Sequence, residues 1–211
     1  MIVGGLVGLA VVGVAGAASM QPDKTHVERS IVMNASAQDV FPLINDFDAW
    51  EKWNPWKALD PGQKVTLSEN HVGVGAWSAW EGEKVGKGKQ TITGSVPDEK
   101  ITQKLEFQEP MQSVAQVAFT LQAEGEATKV TWSYDADNDF MAKAFGLFMD
   151  MDAMLGGDFD RGLKSMKPLA EDAAKARLAA EAVAAADAAA AAALATDAAA
   201  ADGGAKPAPT Y

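Results

Sequence analysis

His26 and His71 are the only histidines in this chain of 211 residues, and it has no cysteine. Disulfides, thiol nucleophiles and cysteine-based metal sites are therefore excluded together. No G-x-S-x-G or comparable setting for a serine nucleophile occurs either. His26 opens an alternating run and His71 lies in a turn-like stretch, so both read as surface side chains. Asp135-Ala136-Asp137-Asn138-Asp139 has the acidic spacing of a calcium loop, but Phe140 and Gly146 stand where an EF-hand needs Gly and Glu. It reads as an acidic turn leading into a helix cap. Asp150, Asp152, Asp158 and Asp160 read as the solvated side of a helix, with no histidine nearby to complete a metal site. No catalytic residue, metal or cofactor is assigned.

What the chain offers instead is aromatic surface. Trp50, Trp53 and Trp56, three of its six tryptophans, follow Phe41 and Phe47 within Val40–Trp56. Next to Pro55, that density exceeds what a small core needs, and it suits the wall of a pocket for apolar ligands. Phe107, Phe119 and Trp132 lie on alternating runs, and Phe145, Phe148 and Met151 on a helical one, so they extend the candidate site. Trp77 and Trp80 fall on opposite faces of one strand, which leaves at most one of them inside. Methionines between Met141 and Met166 add side chains that adapt to varied partners. Arg29 shares parity with Val27, Ile31 and Met33; it would point inward to meet a polar ligand head or pair with a carboxylate such as Asp46.

The elements that must position these residues follow from the periodicities. Val27 to Met33 alternates as a first strand. Ser36 and Asp39 form an N-cap and its acidic third residue, opening a short amphipathic helix through Phe47 that Pro55 bars from continuing. Six β-type runs follow: Lys64–Glu69, Ala76–Glu81, Lys89–Val96, Ile101–Gln108, Val114–Ala123 and Thr128–Tyr134. Glycines, Pro97-Asp98, Glu109-Pro110 and Glu124-Gly125-Glu126 separate them, and such short links mean antiparallel pairing. From Met141 to Met166 apolar residues step by three and four, a long amphipathic helix capped by Asp139 and ended by Pro168. Gly156-Gly157 predicts a kink or a close approach to the sheet. The class is α+β.

The two ends differ in kind. Ile2 to Ser19 is uncharged, and about 18 apolar residues approach the ~20 that cross a hydrocarbon core. It lacks the basic start of a secretion signal, so residues 1–20 read as an uncleaved anchor, a single span in the cell membrane with its side left open. Export after cleavage near Ala15-Gly16-Ala17 is the alternative. Gly4 and Gly8 form a G-x-x-x-G pair of the kind that supports helix pairing. Residues 169–211 are an alanine-rich tail, read as a solvated helix or coil. A net charge of −11 and a pI near 4.6 argue against nucleic acid as a partner.

Val27–Ser36 (VERSIVMNAS), Asp46–Trp56 (DFDAWEKWNPW) and Met149–Lys167 (MDMDAMLGGDFDRGLKSMK), with this order of elements, resemble the START-like or SRPBCC superfamily, in its polyketide cyclase/dehydrase and lipid-transport branch. The resemblance covers residues 24–168. It implies a helix-grip fold, in which a curved antiparallel sheet wraps a long C-terminal helix around an internal apolar cavity. It implies as partner a hydrophobic small molecule or lipid, bound or carried by a membrane-tethered module. A polyketide cyclase/dehydrase-like enzyme acting on an aromatic or polyketide substrate is the alternative.

Overall fold

The computed structural model describes residues 16–202. The apolar run at 2–15, with its G-x-x-x-G pair, lies outside the described residues, as do 203–211. Strand β1 (Lys24–Met33) leads into α1 (Ala37–Asn45), α2 (Phe47–Trp50) and α3 (Pro55–Leu59). Six strands follow: β2 (Lys64–Leu67), β3 (Trp77–Gly82), β4 (Gly86–Val96), β5 (Lys100–Glu109), β6 (Ser113–Glu124) and β7 (Ala127–Asp137). Two helices close the order, α4 (Phe140–Gly146) and α5 (Met151–Asp202). The strands make one curved antiparallel sheet in the order β1-β7-β6-β5-β4-β3-β2, with β1 and β2 at its edges. This is the helix-grip arrangement expected from the sequence.

Each local choice has a physical cause. Ser36 and Asp39 close the capping box of α1, with the Ser36 hydroxyl donating to the Asp39 carboxylate at 2.6 Å. Beyond the one short helix expected through Phe47, the aromatic stretch folds as two further short helices. Pro55 does not stop helix here; it starts α3 at a position where its missing N–H costs nothing, and the Asn54 side chain caps it by accepting from Trp56 N at 3.0 Å. On β1, Val27 and Met33 are buried while His26, Glu28 and Ser30 face water, as the alternation requires.

The expected long helix is two. Asp139 caps α4 by accepting from Ala142 N at 2.8 Å. The apolar spacing runs on through Phe148, but Asp150 accepts from Ala153 N at 3.0 Å and starts a new helix after a short break. Pro168 does not end α5 but lies inside it. Pro168 and Lys164, whose carbonyl loses its helical donor, both lie on the exposed face, where water can satisfy that carbonyl. Packing continues past the proline: Ala170 is buried and the Glu171 carboxylate accepts from Asn34 N at 3.0 Å. At Gly156 the outcome is close approach, because an added Cβ would collide with the Arg29 guanidinium. At Gly162 it would come within 2.8 Å of the Trp132 ring.

The chain divides into two units, Met1–Glu171 and Asp172–Tyr211. The second is described to residue 202 as alanine-rich helix, and from 182 to 195 its side chains are exposed. Among the described residues, Met151–Ala195 is long and apolar enough to cross a membrane by length and composition alone. Core helices of soluble proteins pass the same test, so it carries no membrane assignment.

Candidate ligand cavity

The three short helices set an aromatic cluster against the inner face of the sheet. Trp132, on β7, stacks on Phe159 of α5 with ring centroids 4.1 Å apart. Trp50, Trp53 and Trp56 meet Trp132 edge-on at 5.5, 5.7 and 5.8 Å, and Phe119 tilts against it at 4.9 Å. Each such pair contributes roughly 0.5–1.5 kcal/mol beyond its buried area. On one side of this cluster lies an open cavity of about 1400 Å³.

Seven of the eleven candidate residues line it: Trp50, Trp56, Phe107, Trp132, Phe145, Phe148 and Met151. The other four do not. Phe47, Trp53 and Phe119 are fully buried behind the wall, where each contributes roughly 1.5–3 kcal/mol to the core. Trp53 is turned away because α2 ends at Trp50; its indole N–H instead donates to Leu43 O at 2.8 Å. Arg29 faces inward as its parity requires, but it meets protein. It donates to both oxygens of Asp152, at 3.0 and 2.8 Å, and lies 3.7 Å from Asp160, while Asp46 caps α2. The hydrogen bond holds the Asp152 carboxyl below the usual carboxylate range and raises Arg29 further.

Sequence reasoning also missed residues. Asp158 is not on the solvated side: it is buried, lines the cavity, accepts from the Trp56 indole N–H at 3.0 Å and pairs with Arg161. Its place one helical turn after Leu155 was the available signal. Asp152 and Asp160 do lie toward solvent, as read from the sequence, and from there carry the Arg29 ion pairs. Tyr134 shares parity with Trp132 and lines the same wall, and burial pushes its phenol above its ordinary pKa, so it stays neutral. Trp80 is the inner member of its pair, edge-on to Phe107 at 5.9 Å, while Trp77 lies under the Lys89 ammonium. Ser78 and Gln90, cross-strand partners on β3 and β4, add a small polar patch to the lining. The Trp132 indole N–H is buried without an oxygen acceptor among these aromatic rings.

The acidic turn has structural duties throughout. Asp135 takes a 2.7 Å hydrogen bond with His26, Asp137 pairs with Lys24, and Asn138 accepts from the Thr25 hydroxyl at 2.9 Å. Among the described residues no group of acidic and histidine side chains is arranged to hold a metal ion. The lining therefore combines a broad aromatic and aliphatic surface with polar and charged side chains, among them Ser78, Gln90, Tyr134 and Asp158.

A family model described as polyketide cyclase / dehydrase and lipid transport matches residues 24–171, and the chain belongs to that family. Solved structures of similar fold include protein CV1439 from Chromobacterium violaceum, 18% identical, covering 71% of this chain and 98% of that one with a TM-score of 0.52. The Aha1 dimer from Colwellia psychrerythraea is 17% identical over 70% of this chain and 96% of its own, with a TM-score of 0.51. Hypothetical protein jhp0584 from Helicobacter pylori is 11% identical over 69% and 88%, with a TM-score of 0.53. At such identities these likenesses concern the fold alone. No curated protein matched the chain.

Proposed function

We propose that the protein binds or transports a lipid or another hydrophobic small molecule in this cavity, tethered to a membrane by the apolar segment at residues 2–19. The observation that carries the reading is the cavity itself, about 1400 Å³ and walled by Trp50, Trp56, Phe107 and Trp132 in a family whose description includes lipid transport. Drug-sized ligands occupy pockets of roughly 300–1000 Å³, so this volume suits a molecule with a long or branched apolar body. Ser78, Gln90 and the neutral Tyr134 phenol would receive its polar end.

The test is equilibrium binding of a panel of single-chain lipids and aromatic polyketide-type molecules, followed by quenching of the cavity tryptophans and by native mass spectrometry. Saturable uptake of one ligand per chain, abolished by Phe107→Arg, is the expected result. No saturable uptake anywhere in the panel would sink the idea. The enzymatic reading draws on one observation, the buried Asp158 and Tyr134 on the same cavity wall. It predicts that a polyketide-type ligand is recovered chemically changed, and that Asp158→Asn stops the change while leaving uptake intact.

A further inference from the structure

The sheet ends are unequal. The register pairs Lys24 with Asp137, Ala115 with Ala136, Ser113 with Phe107 and Glu109 with Lys87, so the starts of β1, β4 and β6 and the ends of β5 and β7 share one end. The cavity opens there, because residues from all five of these strand ends or the turns beside them line it. Its rim is apolar and exposed: Phe148 is 78% exposed, Met141 61% and Val114 52%. At the opposite end the exposed large apolar side chains among the described residues are the valines Val32, Val72, Val74 and Val96, with no aromatic or methionine among them, and its turns carry Asp98, Glu99, Glu124 and Glu126. A group of exposed aromatic, methionine and valine side chains around a cavity mouth is expensive to leave in water and marks a contact surface.

The position of the apolar segment points to a bilayer as the occupant. The apolar segment ending at Ser19 joins the domain at this same end. Asp23 O accepts from Asn138 N at 2.8 Å, Pro22 O accepts from the Asn138 side-chain amide at 3.0 Å, and Lys143 on α4 pairs with the Asp23 carboxylate at 2.5 Å. Four residues, Met20 to Asp23, separate that segment from β1, and fully extended they reach at most about 14 Å. With residues 2–19 in a bilayer, as the proposed function holds, the rim lies within that distance of the lipid surface. The charges there are mixed, with Lys24 and Lys143 against Glu109, Asp137, Asp139 and Asp150, so attraction to anionic headgroups is not the driving force.

We propose that this end of the domain, rimmed by Met111, Val114, Met141, Phe145, Phe148 and Met149, docks onto a neutral lipid bilayer and opens the cavity directly to it. The aromatic and methionine side chains enter the headgroup boundary, as amphipathic interfacial elements do. A ligand then passes between bilayer and cavity without crossing water.

The absence of cysteine makes the test direct. The full chain carrying Phe148→Cys, Met111→Cys or, as control, Glu126→Cys is labelled with an environment-sensitive fluorophore and reconstituted in phosphatidylcholine vesicles containing nitroxide lipids. Labels at 148 and 111 should shift to the blue and be quenched by the nitroxides, while the label at 126 should do neither. Replacing part of the phosphatidylcholine with phosphatidylserine should leave this unchanged. Water-like emission at both rim sites would overturn the proposal. So would a blue shift without lipid quenching, which would mean that residues 2–19 or a second copy covers the rim, or quenching that requires phosphatidylserine. Ligand uptake measured on the unsubstituted protein separates the two ideas: uptake without rim contact removes the docking alone, and rim contact without uptake removes the carrier reading alone.

Discussion

The Trp56 indole donates to Asp158 and ties α3 to α5 across the cavity wall, 102 residues apart in the chain. Trp56→Phe keeps the ring and removes the donor, leaving a buried carboxylate short of one partner. A loss of roughly 1–3 kcal/mol is expected in urea denaturation. Gly156 poses a different test. Alanine there would gain roughly 0.5–1 kcal/mol of helix propensity, but its Cβ occupies the space of the Arg29 guanidinium. Gly156→Ala should therefore destabilise the natural chain and stabilise an Arg29→Ala background. The same denaturation experiment reads that reversal of sign, and additive effects would mean that the two residues do not share the space.

Among elements, β1 is held to β7 partly by the His26–Asp135 hydrogen bond, which raises the histidine above its ordinary pKa of 6.5, with Glu28 adding to the effect. A raised folded-state value means stability that is fully present below about pH 6.5 and lost as pH rises through the folded pKa. The melting temperature of the natural chain minus that of His26→Gln should accordingly fall as pH rises above about 6.5; a flat difference would show that the bond contributes nothing. Both partners are more than half exposed, so the effect is small. In α5, Pro168→Ala restores a donor to the Lys164 carbonyl and should raise stability by up to about 3 kcal/mol; a loss would show that the packing of Ala170 depends on the proline. The strands were legible because period-two runs were cut by glycine and proline at each turn. The break between α4 and α5 was not, since the apolar spacing of Phe145, Phe148 and Met151 runs straight through it and only the cap at Asp150 marks the new start. Trp53 misled for a related reason. Three tryptophans spaced by three share a face only if one helix carries them, and here two helices and a turn do. Asp158 was hidden by residue type: a carboxylate on a helix belongs in water unless a buried donor such as the Trp56 indole awaits it.

At the scale of the molecule, the family and the fold agree on a domain built around a cavity. A ligand that binds only the folded chain stabilises it by mass action. At 100 times its dissociation constant the gain is about 2.7 kcal/mol, so a true cavity ligand should raise the melting temperature in a concentration-dependent way. A detergent that merely coats the rim should give no saturation. The open order of the sheet has a further consequence. Two edge strands are unpaired along one side, and such edges recruit other chains. Here β2 is four residues long and begins with Lys64, which gives an incoming strand little to zip against. On β1 the Glu28 carbonyl already accepts from Arg29 at 2.7 Å and the Val32 carbonyl from Lys167 at 3.0 Å. Side chains that the ion pairs and the long helix hold in place thus also act as bumpers against fibril-type stacking, a hazard that grows with local concentration.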